Sequence, residues 1–236
     1  MSTFISRRIF LCVAGGTLAA PTLSGAANNV PAFLDHILLG CSDLDRGVAF
    51  VEERTGVRAA FGGIHPGRGT QNALLSLGTR RYLEIIAPDP KQSGPQQYPV
   101  IAKLTEPRLI GWAAHPGDLR SFAAKLANSG IAAGGPAPGS RRRPDGRVLQ
   151  WQTLTPKGNA SDLLPFFIEW SADSIHPSVD SPKGCSLLRF EAASPDPEAF
   201  SKQVALLGLD LPIVKGDNPQ LRATISGPKA QFTVTS

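Results

Sequence analysis

The stretch FLDHILLGCSDLDRGVAFVEERTGVRAA, Phe33–Ala60, sets the frame for the rest of the chain. It opens with an apolar run broken by one acid and one histidine, the pattern of a buried strand. Ser42 or Asp43 then offers an N-cap, apolar residues recur at helical spacing to about Arg54, and Gly56 supplies a stop. A glycine-rich turn containing His65 follows. After it come two short apolar runs, Asn72 to Leu77 and Tyr82 to Ala87, separated by Gly78-Thr79-Arg80. The order is strand, helix, strand, strand, strand.

That order returns. RLIGWAAHPGDLRSFAAKLANSGIAAG, Arg108–Gly134, gives a strand, a helix capped near Asp118 and a Gly130 stop, and GRVLQWQTLTP and LLPFFIEWSA supply further strands. A less complete copy begins at Ser186, with a helix that has Pro197 near its first position and ends at Gly208. QLRATISG and QFTVTS close it as strands. The chain therefore divides into βαβββ modules at about residues 33–90 and 108–172, with a third, partial module at 184–236. Such internal repetition outweighs any single motif, and the fold class it predicts is α+β.

Composition narrows the function. Of 236 residues 42% are hydrophobic and 18% charged, an ordinary globular balance. The formal charge is +5, and Arg7 and Arg8 supply part of it. A nucleic-acid binder concentrates far more positive charge on one face, so that class is set aside. The one dense cluster, Arg141-Arg142-Arg143 with Arg147, sits in a turn-rich stretch. It reads as a solvated loop or as a rim that attracts an acidic substrate.

The N-terminus reads as an address. Ser6-Arg7-Arg8-Ile9-Phe10-Leu11 precedes an apolar run and small residues near Ser24-Gly25-Ala26, the order of a signal peptide over residues 1–26. The run is too short to span a hydrocarbon core of about 30 Å, so no stable membrane anchor is expected. The paired arginines resemble the twin-arginine export signal. That resemblance implies contact with the twin-arginine export machinery and a periplasmic or secreted mature protein. The alternative is a general-secretion signal. Cys41 and Cys185 remain after cleavage, and either pair or stay as separate buried thiols.

Side chains alternate faces along a strand. His36 shares a face with Leu34 and Leu38, opposite Asp35, Ile37 and Leu39, and Glu84 shares one with Tyr82 and Ile86. A histidine and a carboxylate thus each interrupt an apolar strand, where a lone charge is expensive without a partner. Thr70, Gln71 and Asn72 bring hydroxyl and amide groups to the junction of the His65 loop and the next strand. Arg68 and Arg142 are candidates for the negative end of a ligand, and Trp151 for a wall or for core.

The modules carrying LDHILLGCSDLDRG, HPGRGTQNALLSLG and YLEIIAPDP resemble the vicinal oxygen chelate superfamily, and within it the glyoxalase-like domain proteins. The resemblance covers Leu34 to Ser236 and is strongest to Pro90. It implies modules paired into curved mixed sheets that form a cup, with helices outside. Superfamily members include glyoxalases, epimerases, ring-cleaving dioxygenases and metal-free proteins that only bind a ligand, so fold does not choose the reaction.

The resemblance puts metal ligands on the first and last strands of a module, at His36 and Glu84. Matching YLEIIA to FIEWSA adds Glu169 in the second module, where Gly111 falls opposite His36 and brings no ligand. His36, Glu84 and Glu169 would make an N/O set for a divalent metal ion of unspecified identity. His65 would fill the vacancy if its loop folds over the cup, or would contact substrate together with Arg68, Thr70, Asn72 and Arg142. His115 and His176 are poorer candidates. Glu84 or Glu169 would serve as catalytic base if not bound to metal. The implied protein is an exported metal-dependent lyase, isomerase or dioxygenase acting on a small molecule with vicinal oxygens. Its alternative is a metal-free small-molecule-binding cup, and a homodimer is left open for either.

Overall fold

The computed structural model describes residues 29–93, 97–157 and 163–236; the expected signal segment lies outside them. The first module is β1 (Leu34–Gly40), α1 (Leu44–Thr55), β2 (Ala60–His65), β3 (Thr70–Ser76) and β4 (Tyr82–Pro88). The second is β5 (Arg108–Ala114), α2 (Leu119–Asn128), β6 (Ala133–Arg142), β7 (Val148–Pro156) and β8 (Phe166–Trp170). A short α3 (Pro177–Asp180) leads to β9 (Ser186–Ser194), α4 (Pro197–Leu206), β10 (Ile213–Lys215), β11 (Gln220–Ser226) and β12 (Gln231–Thr235).

The two modules share one eight-stranded mixed sheet, ordered β2-β3-β4-β1-β5-β8-β7-β6. In each, the first strand pairs in parallel with the last, β1 with β4 and β5 with β8. The modules join through the antiparallel β1–β5 pair. The sheet curls until its two edges touch. A Cβ built on Gly63 of β2 would stand 2.5 Å from the Arg142 carbonyl oxygen of β6, and Gly63 has φ +137°, where a side chain is strained. The glycines of the His65 stretch thus serve first as the seam of the cup.

The convex face is the main core. Asp43 caps α1 by accepting from Arg46 N–H, and Gly56 ends it in the left-handed conformation. The buried Val48 and Val51 of α1 pack with Ile37, Leu39, Leu83 and Ile85, while Leu119 and Leu126 of α2 pack with Leu154 and Phe167. Each such fully buried side chain contributes about 1.5–3 kcal/mol. Strands β1 and β4 are buried on both faces, which is why they read as near-continuous apolar runs.

The third segment keeps the expected element order but not the expected pairing. Its sheet is ordered β10-β9-β11-β12, with β10 parallel to β9 across the α4 crossover and β11 antiparallel on the other side of β9. The first strand therefore does not pair with the last, as it does in the other two modules. The segment packs on the convex side, where Phe190 meets Trp112 edge-on at 5.3 Å. Cys41 and Cys185 are free and buried, and burial pushes the Cys41 thiol up to about 12. Among the described residues no helix is long and apolar enough to cross a membrane.

Candidate functional site in the cup

The concave face encloses a cavity of about 1250 Å³. His36 and Glu84 reach it from β1 and β4, His65 from the end of β2, Asn72 from β3 and Arg141 from β6. Trp151, Phe166 and Trp170 form an aromatic wall from the second module. His36 stacks on Tyr82 at 4.5 Å, and Trp151 meets Trp170 at 5.3 Å.

The hydrogen bonds fix which atoms face the centre. Asp35, fully buried, accepts from His36 Nδ1 at 2.7 Å, His176 Nε2 at 3.1 Å and Trp170 Nε1 at 3.2 Å. His176 Nδ1 accepts from the Ser178 backbone N–H, so its proton sits on Nε2 and points to Asp35. His36 gives its Nδ1–H to Asp35, which turns Nε2 toward Glu84 Oε2, 3.5 Å away. On the other side, Arg141 donates to Asn72 Oδ1, which fixes the amide and points its NH2 at Glu84 Oε1, at 2.6 Å. The same NH2 lies 3.4 Å from His65 Nε2, so that nitrogen presents a lone pair, with Nδ1 bonded to Thr70 Oγ1 at 2.9 Å. His65 Nε2 is 3.7 Å from Glu84 Oε1.

Electrostatics keep His65 and Glu84 in acceptor form. Burial pulls His65 down to about 4 against the opposing pull of Glu84, so its imidazole is neutral at pH 7. Burial alone would raise Glu84, but His65, His36, the Asn72 hydrogen bond and Arg141 outweigh it and hold the carboxyl below its usual range. Asp35 is held well below the usual range by His176 and His36 despite its burial.

Two imidazole Nε2 atoms and a carboxylate therefore face one another, with one amide donor beside them. The carboxylate behind His36 Nδ1 and the hydroxyl behind His65 Nδ1 are the supports that metal-ligating histidines use. Among the described residues no three His, Cys, Asp or Glu side chains are already gathered around a common ion position. The donor types fit a divalent ion; drawing them together needs movement of the Glu84 carboxylate.

The candidate residues divide between the cup and its outside. His36, Glu84, His65, Asn72 and Arg68 line the cavity, and Thr70 supports His65 from behind. Glu169 does not join them. Phe166, Ile168 and Trp170 carry the cup face of β8, and Glu169 lies between them on the outer face, accepting from Leu119 N–H at the start of α2. Arg142 also points away, bonded to the Gly146 carbonyl in the β6–β7 turn, while its neighbour Arg141 is buried in the cup. The arginine cluster divides: Arg141 is buried in β6, while Arg142 at its end and Arg147 beyond the β6–β7 turn are exposed. Asp35 was expected on the face opposite His36, yet both reach one network. The β1–β5 register shifts between Leu34 and His36, and such a bulge breaks strict alternation. His176 is brought in by α3, a signal that no local pattern carried.

A curled mixed sheet of paired βαβββ modules with a polar cluster on its concave face defines a vicinal oxygen chelate cup. The glyoxalase-like domain model matches residues 34–208, and the chain belongs to that family. Among solved structures, a hypothetical protein from Staphylococcus aureus is similar at 18% identity and a TM-score of 0.61, over 85% of this chain and 84% of its own. Methylmalonyl-CoA epimerase from Mycobacterium tuberculosis matches at 22% identity over 62% of this chain and 93% of its own, with a TM-score of 0.44. A hypothetical protein from Bacillus halodurans matches at 18% over 60% and 96%, with a TM-score of 0.45. No curated protein sequence matches the chain.

Proposed function

We propose that this glyoxalase-like protein is a divalent-metal-dependent enzyme acting on a small molecule with two adjacent oxygens. His36, His65 and Glu84 are the metal-holding residues. The observation that carries the reading is the convergence of two imidazole Nε2 atoms on an ionised carboxylate, each histidine anchored through its Nδ1. A divalent ion bound there would supply Lewis acidity to the two substrate oxygens. Asp35 holds His36 in the tautomer that keeps Nε2 free. Glu84, steered by Asn72, would take a proton from a carbon beside those oxygens once displaced from the metal. Two imidazoles with one carboxylate also suit an oxygen-activating iron site, so lyase, isomerase and dioxygenase chemistry all follow from the same residues.

The test is elemental analysis of protein purified without chelator, beside His36→Ala, His65→Ala, Glu84→Ala and Glu169→Ala. The expected result is a stoichiometric divalent ion, lost in the first three and kept in the fourth. No metal in folded protein, even after incubation with candidate ions, overturns the reading. One observation favours a second reading, a metal-free binding cup: Asn72 links Glu84 to Arg141, so the carboxylate already has a cationic neighbour. In that case ligand binding survives both chelation and Glu84→Gln.

We also infer export through the paired Arg7-Arg8 signal, with cleavage near Ala26. Mass spectrometry of the periplasmic fraction tests it. Full-length protein held in the cytoplasm, in the wild type as much as after Arg7→Lys with Arg8→Lys, would overturn it.

A further inference from the structure

Arg141 is only 3% exposed, yet its guanidinium is poorly paired. Among the described residues it makes one hydrogen bond, to Asn72 Oδ1, and its Nε is buried without a partner. A buried charge is costly unless paired and hydrogen-bonded. The nearest acid, Glu84, does not pair with it, because Asn72 stands between them with its oxygen toward Arg141 and its NH2 toward Glu84. The backbone is shaped to seat this side chain. A Cβ on Gly62 would stand 2.5 Å from Arg141 Nη1, and one on Gly63 would stand 3.1 Å from its Cγ and Cδ.

The rest of the cavity lining repeats the imbalance. Arg68 and Arg108 also line it, while Glu84 is the one acidic side chain among the described lining residues. On the strands next to Arg141, Trp151 of β7 and Phe166 and Trp170 of β8 line the same cavity and favour a flat apolar group. A guanidinium with free N–H groups matches a carboxylate in plane and charge.

We propose that the cup binds a small carboxylic acid with an aromatic body, of the 2-oxo or 2-hydroxy class. Its carboxylate sits on Arg141, its neighbouring oxygen faces His36, His65 and Glu84, and its ring lies against the tryptophans. This deepens the reading of the cup as a substrate site, but the Arg141 contact does not need a metal. Metal-free protein therefore separates the two claims.

The experiment is calorimetric titration of chelator-treated protein with phenylpyruvate and with phenylacetone, which lacks the carboxylate. Wild type should bind the acid at least about tenfold more tightly than the ketone, as expected for a charge-assisted contact in a desolvated pocket. Arg141→Gln should abolish that preference, and Glu169→Ala, outside the cup, should keep it. Equal affinity for acid and ketone, no binding of either, or a preference that survives Arg141→Gln overturns the proposal. Should Arg141→Gln fail to fold, the acid and ketone comparison in wild type decides alone.

Discussion

Asp35→Asn should unfold part of the reasoning along with part of the protein. Asp35 is fully buried and accepts three hydrogen bonds, from His36 Nδ1, His176 Nε2 and Trp170 Nε1. Hydrogen bonds to a charged group contribute about 1.5–3 kcal/mol each, but those sharing one acceptor do not simply add. Removing one partner from a buried charged network costs about 3–5 kcal/mol. An asparagine offers one acceptor oxygen and turns an NH2 against a donor, so a loss of about 4 kcal/mol is expected from urea denaturation of the metal-free protein. The second effect is on tautomer. An amide NH2 facing His36 Nδ1 favours the form with the proton on Nε2, which would then point at Glu84 in place of a lone pair. Metal affinity, read by competition with a chelating dye, should fall about 10–100-fold. A variant within about 1 kcal/mol of wild type, with unchanged metal affinity, would refute the claim that Asp35 orients His36.

Acid should act through His65, whose imidazole is lowered from 6.5 to about 4. The folded state resists protonating this group, so its contribution is complete above about pH 6.5 and is lost as pH falls toward 4, by about 3 kcal/mol. Urea midpoints of metal-free protein across that window should slope in wild type and flatten in His65→Gln. Gly63→Ala forces a Cβ against the Arg142 carbonyl at φ +137°. It should cost about 2–3 kcal/mol and loosen the β2–β6 seam, seen as faster amide exchange in both strands. Glu169→Ala removes an acceptor from the start of α2. It should lower stability by about 1 kcal/mol in thermal melts while leaving metal content untouched.

Where the sequence has phase, the reading held. LDHILLG and YLEIIAP have apolar residues on both faces, so the polar intruders His36 and Glu84 stood out and the structure puts both in the cup. Asp43, Gly56 and Asp118 bounded their helices because caps are chosen by local backbone chemistry. Most of the misses share one cause. Side-chain direction in a strand has period two, so an error of one residue reverses the face. Glu169 was matched through its neighbours in FIEW, yet the cup takes Ile168 and Trp170. Arg142 was favoured over Arg141, yet AGGPAPGSRR has no apolar alternation from which to count. The bulge before His36 brought Asp35 to the same network. His176 comes from 141 residues beyond Asp35, a separation no local pattern spans.

These placements also account for why one module carries the donors and the other does not. The modules share a topology, so both offer first-strand and last-strand positions to the cup. In the first module those positions hold His36 and Glu84. In the second they hold Gly111, Ala113, Phe166 and Ile168, and the only charged side chain fully drawn in is Arg141 from β6. A carboxylate in each module would set a second acid against Glu84 across the cavity, tolerable with a metal bound or with one carboxyl protonated. With small and aromatic residues there instead, the second module supplies volume, a wall and a positive charge. On the proposed reading the first module is the reacting half and the second receives the substrate, with Glu84 and Arg141 joined through Asn72 and not directly.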